Sequence, residues 1–192
     1  IDGYATTRNG VHQIFLVSGE AGVGKTFNLL RESKARAYGI AREGSNHPLY
    51  LFVDCAGAGT RSLEALIDSA MSKSLNLGFE RVSTLSRNVL DGFDELLSSS
   101  GYSDALSLLG PILDRIGDSG TIIVSARSSY ITGQYESSIE GRQSTHSDVP
   151  DHWKINLERW SPRDVDELFS SNPSWSNFAN LVGEAEKQLL GV

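Results

Sequence analysis

Eight consecutive residues, Gly19-Glu20-Ala21-Gly22-Val23-Gly24-Lys25-Thr26, fit the spacing G-x-x-x-x-G-K-[ST] at every position. That spacing serves one kind of chemistry, the wrapping of a phosphate chain by main-chain amides. Glycine lets the backbone turn its N–H groups inward, and a helix starting near Lys25 would aim the positive end of its dipole at the same anion. Lys25 is expected to reach the β- and γ-phosphates, and the Thr26 hydroxyl to ligate magnesium. The residues just before the loop, Ile14-Phe15-Leu16-Val17, form a buried-type strand run, which is the context the loop requires.

A second group of reactive residues lies in Val89-Leu90-Asp91-Gly92-Phe93-Asp94-Glu95-Leu96. Three carboxylates follow a short apolar run, at the strand end where an open α/β sheet gathers its ligand groups. This suits a Walker B pattern. Asp91 is expected to hold magnesium directly or through water, and Asp94 or Glu95 to orient or deprotonate an attacking water. Acids at a helix start would also be favoured by the dipole alone. Only Val89 and Leu90 precede Asp91 as apolar residues, so the strand is expected to be short or irregular. Thr121-Ile122-Ile123-Val124-Ser125-Ala126-Arg127 reads as a further buried strand, ending in a hydroxyl and an arginine. In a sheet where this strand is inserted between the two motif-bearing strands, Arg127 would point to the γ-phosphate and sense nucleotide state. Ser125 is either part of that site or an ordinary strand-end hydroxyl.

The elements that must carry these groups alternate between short β-rich runs and longer helical stretches, the pattern of a parallel sheet with helices on both faces. Strands are expected at Val11–Val17, Leu49–Val53, a short run ending at Leu90, Thr121–Ser125 and Trp153–Leu157. Helices are expected near Lys25–Tyr38, Ser62–Leu75, Ser103–Ile116, Ser161–Ser170 and Ser174–Leu190. Pro111 should kink or split the third helix. Ser161-Pro162 before Arg163-Asp164 reads as a helix start with a hydroxyl cap and proline at the first helical position. Ser98-Ser99-Ser100-Gly101 reads as a flexible turn and Ser128–Pro150 as a long surface excursion.

With 192 residues, 39% hydrophobic and 21% charged, the chain holds enough material for one α/β domain with a real core. It lacks an apolar run long enough for a membrane helix and shows no signal-peptide pattern, so a soluble, cytoplasmic protein is expected. Cys55 is the single cysteine, which excludes an internal disulfide and reads as a small buried hydrophobe. The net charge of −7, with basic residues scattered along the chain, gives no footprint for nucleic acid. His12, His47, His146 and His152 share no metal-ligand spacing. Trp153, Trp160 and Trp175 read as core or domain-contact aromatics. The start at Ile1 and the stop at Val192 suggest a piece of a longer protein.

Taken in order, four features make the chain resemble the NACHT group of STAND NTPases, within the AAA+-like P-loop ATPases. They are the Gly19–Thr26 loop, the Asp91-Gly-Phe-Asp-Glu95 box, the Ser125-Ala-Arg127 strand end, and Leu157-Glu-Arg-Trp160-Ser-Pro-Arg-Asp164-Val-Asp-Glu-Leu168-Phe169. Alanine at 126 departs from the serine common at that place. The resemblance implies a three-layer P-loop NTPase core over residues 1–160, with a mostly parallel five-stranded sheet, and a helical segment beginning at 161–192. It implies binding of ATP or ADP with Mg2+ and slow or triggered hydrolysis. Nucleotide state would then control homo-oligomerisation and effector activation after an unknown protein trigger, in immune or anti-phage defence. Two other classes share the loop, an AAA+-type ring motor and a small-molecule kinase.

Overall fold

The computed structural model describes residues 12–44, 47–57, 62–74, 86–100, 105–116, 120–137, 150–161, 163, 164 and 167. The chain divides into two compact units, Ile1–Leu157 and Glu158–Val192. In the first, five strands form one parallel sheet: β1 (Gln13–Ser18), β2 (Leu49–Asp54), β3 (Ser86–Asp91), β4 (Thr121–Ala126) and β5 (Asp151–Asn156). Their spatial order is β2-β3-β4-β1-β5. β4 therefore lies between the strands that carry the two acidic and phosphate-type motifs. Every residue of β1 is buried, which is why it reads as an unbroken apolar run apart from its ends.

Side chains alternate across the sheet, and each face has its own core. On one face Ile14, Leu16, Val53, Leu90, Ile122 and Val124 pack with residues of α2 (Leu63–Ser74), α3 (Phe93–Ser100) and α4 (Ala105–Ile116). On the other, Phe15, Val17, Tyr50, Val89 and Ile123 pack with Leu29 of α1 (Lys25–Glu43). The Arg36 guanidinium also sits 4.1 Å over the Tyr50 ring, tying α1 to β2. The helix that starts at the glycine-rich loop is thereby fixed to the sheet along its length.

Several elements differ from their sequence expectation. β3 is a regular six-residue strand and not a short one, because ladders to β2 and β4 satisfy its backbone and override the polar character of Arg87 and Asn88. Helix α1 runs past Gly39 to Glu43 and stops at Gly44, whose φ of 63° lets its N–H donate to the Gly39 carbonyl. A glycine inside a helix costs only about 1 kcal/mol, too little to end one packed on a sheet. α4 continues through Pro111 without splitting. Pro111 is exposed, whereas Leu108, Leu109, Ile112, Leu113 and Ile116 are buried. At ~1.5–3 kcal/mol for each such side chain, burial outweighs the ~3 kcal/mol proline penalty.

α3 replaces the expected serine turn, since Phe93, Leu96 and Leu97 are buried at helical spacing. The surface excursion begins as structure too: α5 (Ser128–Tyr130) leads into a π-helical turn at Ile131–Tyr135 that buries Ile131 and Tyr135. Residues 138–149 lie outside the described residues, as do most of the two expected C-terminal helices and Trp175. Trp153 and Trp160 are 40% and 52% exposed, so they are not core residues. Within the second unit, Ser161 and Asp164 cap one another. The Asp164 N–H donates to Ser161 Oγ at 3.3 Å, and the Ser161 N–H to Asp164 Oδ2 at 2.8 Å.

Candidate phosphate-binding site

The loop between β1 and α1 owes its shape to its glycines. Gly22 and Gly24 have φ of 79° and 92°, in the left-handed region where an L side chain is strained. Gly19 is needed for space: a Cβ there would sit 2.7 Å from Val23 Cγ1 and 2.9 Å from the Leu157 carbonyl. Glu20 and Ala21 are exposed at the loop crest, and Val23 is half-buried. The first turn of α1 holds no acid, so nothing within it neutralises the helix end. Lys25 Nζ donates to the Gly19 carbonyl at 2.6 Å and to the Glu20 carbonyl at 3.0 Å. Its ammonium is therefore folded over the loop. Thr26 is exposed beside it.

The acids gather at the same end of the sheet. Asp91 closes β3 with 4% exposure. Ser125, next to the Leu90–Val124 register pair of β3 and β4, donates its hydroxyl to Asp91 Oδ1 and accepts the Gly92 N–H at 3.1 Å. Gly92 has φ of 73° with Ala56 only 3.2 Å from where its Cβ would be. This turn sends the chain straight into α3, whose first turn carries Asp94 and Glu95. Arg127, just past β4, reaches both: Nε lies 3.4 Å from Asp94 Oδ2 and Nη2 lies 3.5 Å from Glu95 Oε1. Asp91 with Ser125, and Asp94 and Glu95 with Arg127, thus form two polar groups at one end of the sheet.

This strand order and this loop make a three-layer α/β P-loop NTPase fold. No protein-family model and no curated protein matches the chain. Among solved structures the fold is similar to the ORC2 protein of Aeropyrum pernix, solved as ADPNP-ADP complexes, at 17% identity and a TM-score of 0.49. That likeness covers 85% of this chain and 46% of the other, so the chain spans less than half of that protein's length. The P-loop assignment stands on this chain's own strand order and glycine geometry.

The phosphate loop and the acidic set are joined through β4 and its continuation. Ser18, the last residue before Gly19, has its hydroxyl 3.2 Å from that of Ser128, the residue after Arg127. Sequence reasoning missed Ser18 and Ser128, and left Ser125 undecided, because contacts between distant strand ends follow from register and not from local spacing. It also passed over Asp54, which ends β2 in register with Asp91 and accepts the Ala56 N–H at 3.0 Å. Cys55 beside it is buried, and that burial, with Asp54 and Asp91 nearby, pushes its thiol pKa up to about 12. His12 and His152 sit at the other end of the strands. His12 Nδ1 accepts the Gly120 N–H at 3.3 Å, and burial lowers the pKa of His152.

Among the described residues no three His, Cys, Asp or Glu side chains converge as a ligand set for a metal. Asp91 offers a buried, hydrogen-bonded carboxylate and Thr26 an exposed hydroxyl, both oxygen donors. That donor set fits a hard cation such as magnesium, which takes its remaining ligands from phosphate and water. Among the described residues no helix is long and apolar enough to cross a membrane.

Proposed function

We propose that this chain is the ATP-binding and ATP-hydrolysing module of a NACHT-type STAND signalling NTPase. Its nucleotide state governs homo-oligomerisation and effector activation, in immune or anti-phage defence, and residues 161–192 begin the adjoining helical domain. The observation that carries this reading is the contact of Arg127 with both Asp94 and Glu95. A cation there can exchange two carboxylates, the half-buried Asp94 and the exposed Glu95, for a terminal phosphate, and so report which nucleotide is bound. The Arg127–Glu95 pair is exposed on both sides and such pairs are worth about 0–1 kcal/mol, so giving it up costs little.

The loop from Gly19 to Thr26 wraps the phosphates with its amides, and Lys25 trades its two carbonyl partners for phosphate oxygens. Thr26 and Asp91 would hold magnesium, which neutralises charge building on the phosphates. Asp94 or Glu95, released from Arg127, orients a water and takes its proton as the water oxygen bonds to the γ-phosphorus and ADP departs. The test is calorimetry with Mg-ATP together with turnover. Wild type should bind and hydrolyse slowly, and Lys25→Ala should abolish binding. A wild-type titration without heat would refute nucleotide binding, whereas rapid, steady turnover would favour a motor over a switch.

A further inference from the structure

We propose that Ser125 is a positioning residue for the metal site, fixing the Asp91 carboxylate so that Oδ2 is presented to a divalent cation. The inference rests on the nucleotide-binding reading above. Its basis is the direction of two hydrogen bonds. The Gly92 N–H can only donate, so it occupies a lone pair of Ser125 Oγ at 3.1 Å. The hydroxyl proton is then committed to Asp91 Oδ1. A carboxylate with one oxygen engaged in this way offers the other as the better cation ligand, and cannot rotate freely.

Burial and register make the arrangement rigid. Ser125 and Asp91 are 1% and 4% exposed, so water does not compete for these bonds. Both side chains follow the alternation that places Val89 and Ile123 on the α1 face of the sheet, the face that leads to the phosphate loop. Adjacent ladder positions on β3 and β4 hold them together, with no loop between. Partners of this sort, which orient a ligand without touching the metal, typically change metal affinity 10- to 100-fold when removed.

The experiment titrates magnesium into the full chain at a fixed concentration of a non-hydrolysable ATP analogue, with a parallel titration of the analogue in EDTA. Ser125→Ala should bind the analogue in EDTA within about twofold of wild type, yet need roughly 10- to 100-fold more magnesium for tight binding. Ser125→Thr, which keeps the hydroxyl, should restore the wild-type requirement, and Ser125→Ala should add nothing to Asp91→Asn. If Ser125→Ala fails to fold, Ser125→Cys, a similar-sized but weaker donor, must show the same shift. An unchanged magnesium requirement in these variants, or a shift equally large on top of Asp91→Asn, overturns the role of Ser125 alone. A wild-type chain that binds no analogue overturns the nucleotide reading as well.

Discussion

Two glycines of the phosphate loop are held in place for different physical reasons, and Gly19→Ala and Gly22→Ala should therefore fail differently. At Gly22 the added methyl meets nothing within 4 Å, but φ is 79°. The cost is backbone strain alone, about 1–2 kcal/mol. At Gly19 the backbone is ordinary, and the methyl would meet Val23 Cγ1 at 2.7 Å and the Leu157 carbonyl at 2.9 Å. Val23 can rotate away. The Leu157 carbonyl cannot easily retreat, because the Leu157 N–H donates to the Ser18 carbonyl at 2.7 Å and continues the β1–β5 ladder. Overpacking against fixed backbone costs about 1–3 kcal/mol. For a chain of this size each kcal/mol lowers Tm by roughly 2–4 °C, so Gly19→Ala should melt ~2–12 °C below wild type. The strand end should open with it, and hydrogen exchange at the Leu157 amide should speed up in Gly19→Ala but not in Gly22→Ala. Equal Tm for Gly19→Ala and wild type, with Leu157 protection unchanged, would refute the steric account of the loop root.

Three further outcomes follow from the site. Arg127→Gln should change stability by no more than about 1 kcal/mol, since Arg127 is 57% exposed, while lowering ATP-over-ADP preference in competitive binding. A loss above ~2 kcal/mol would make the residue structural. Asp94→Ala and Glu95→Ala should keep nucleotide binding and cut turnover on the order of tenfold to a thousandfold, with the larger fall at Glu95, the more exposed acid. Equal rates to wild type in both would remove the acids from the reaction. Cys55, its thiol pushed up from 9.0 to about 12, should resist iodoacetamide at pH 8 until the chain unfolds. Because the unfolded thiol ionises first, its contribution to stability is full below pH 9 and is lost as pH rises through about 12, which pH-dependent melting of wild type and Cys55→Ala can compare.

What the sequence made legible was whatever is encoded by adjacent residues. The loop from Gly19 to Thr26 and the sheet's alternation with helices could be read because motif spacing and apolar runs are local. α3 could not, since Asp91-Gly92-Phe93-Asp94 reads equally as a loop until Phe93, Leu96 and Leu97 are seen to be buried together. Pro111 misled for the opposite reason: a strong local rule lost to a buried face formed with distant strands. Ser125 was ambiguous in sequence because its partners, Asp91 and Gly92, lie 34 and 33 positions away and meet it only through the β3–β4 register.

The end of β4 places two polar side chains two residues apart, and each addresses a different kind of acid. Ser125 meets Asp91, which is buried and fixed by a bond that water cannot replace. Arg127 meets Asp94 and Glu95, whose side chains are 13% and 47% exposed and whose ion pairs are long enough to exchange. Gly92 makes this division possible, because only a left-handed residue without a side chain can turn from strand to helix so close to Ala56. A larger residue at 92 would move Asp94 and Glu95 away from Arg127 while leaving Asp91 at the end of its strand. The spacing Asp-Gly-Phe-Asp-Glu is therefore a physical sorting of carboxylates, one buried and held by Ser125 and two in ion pairs with Arg127.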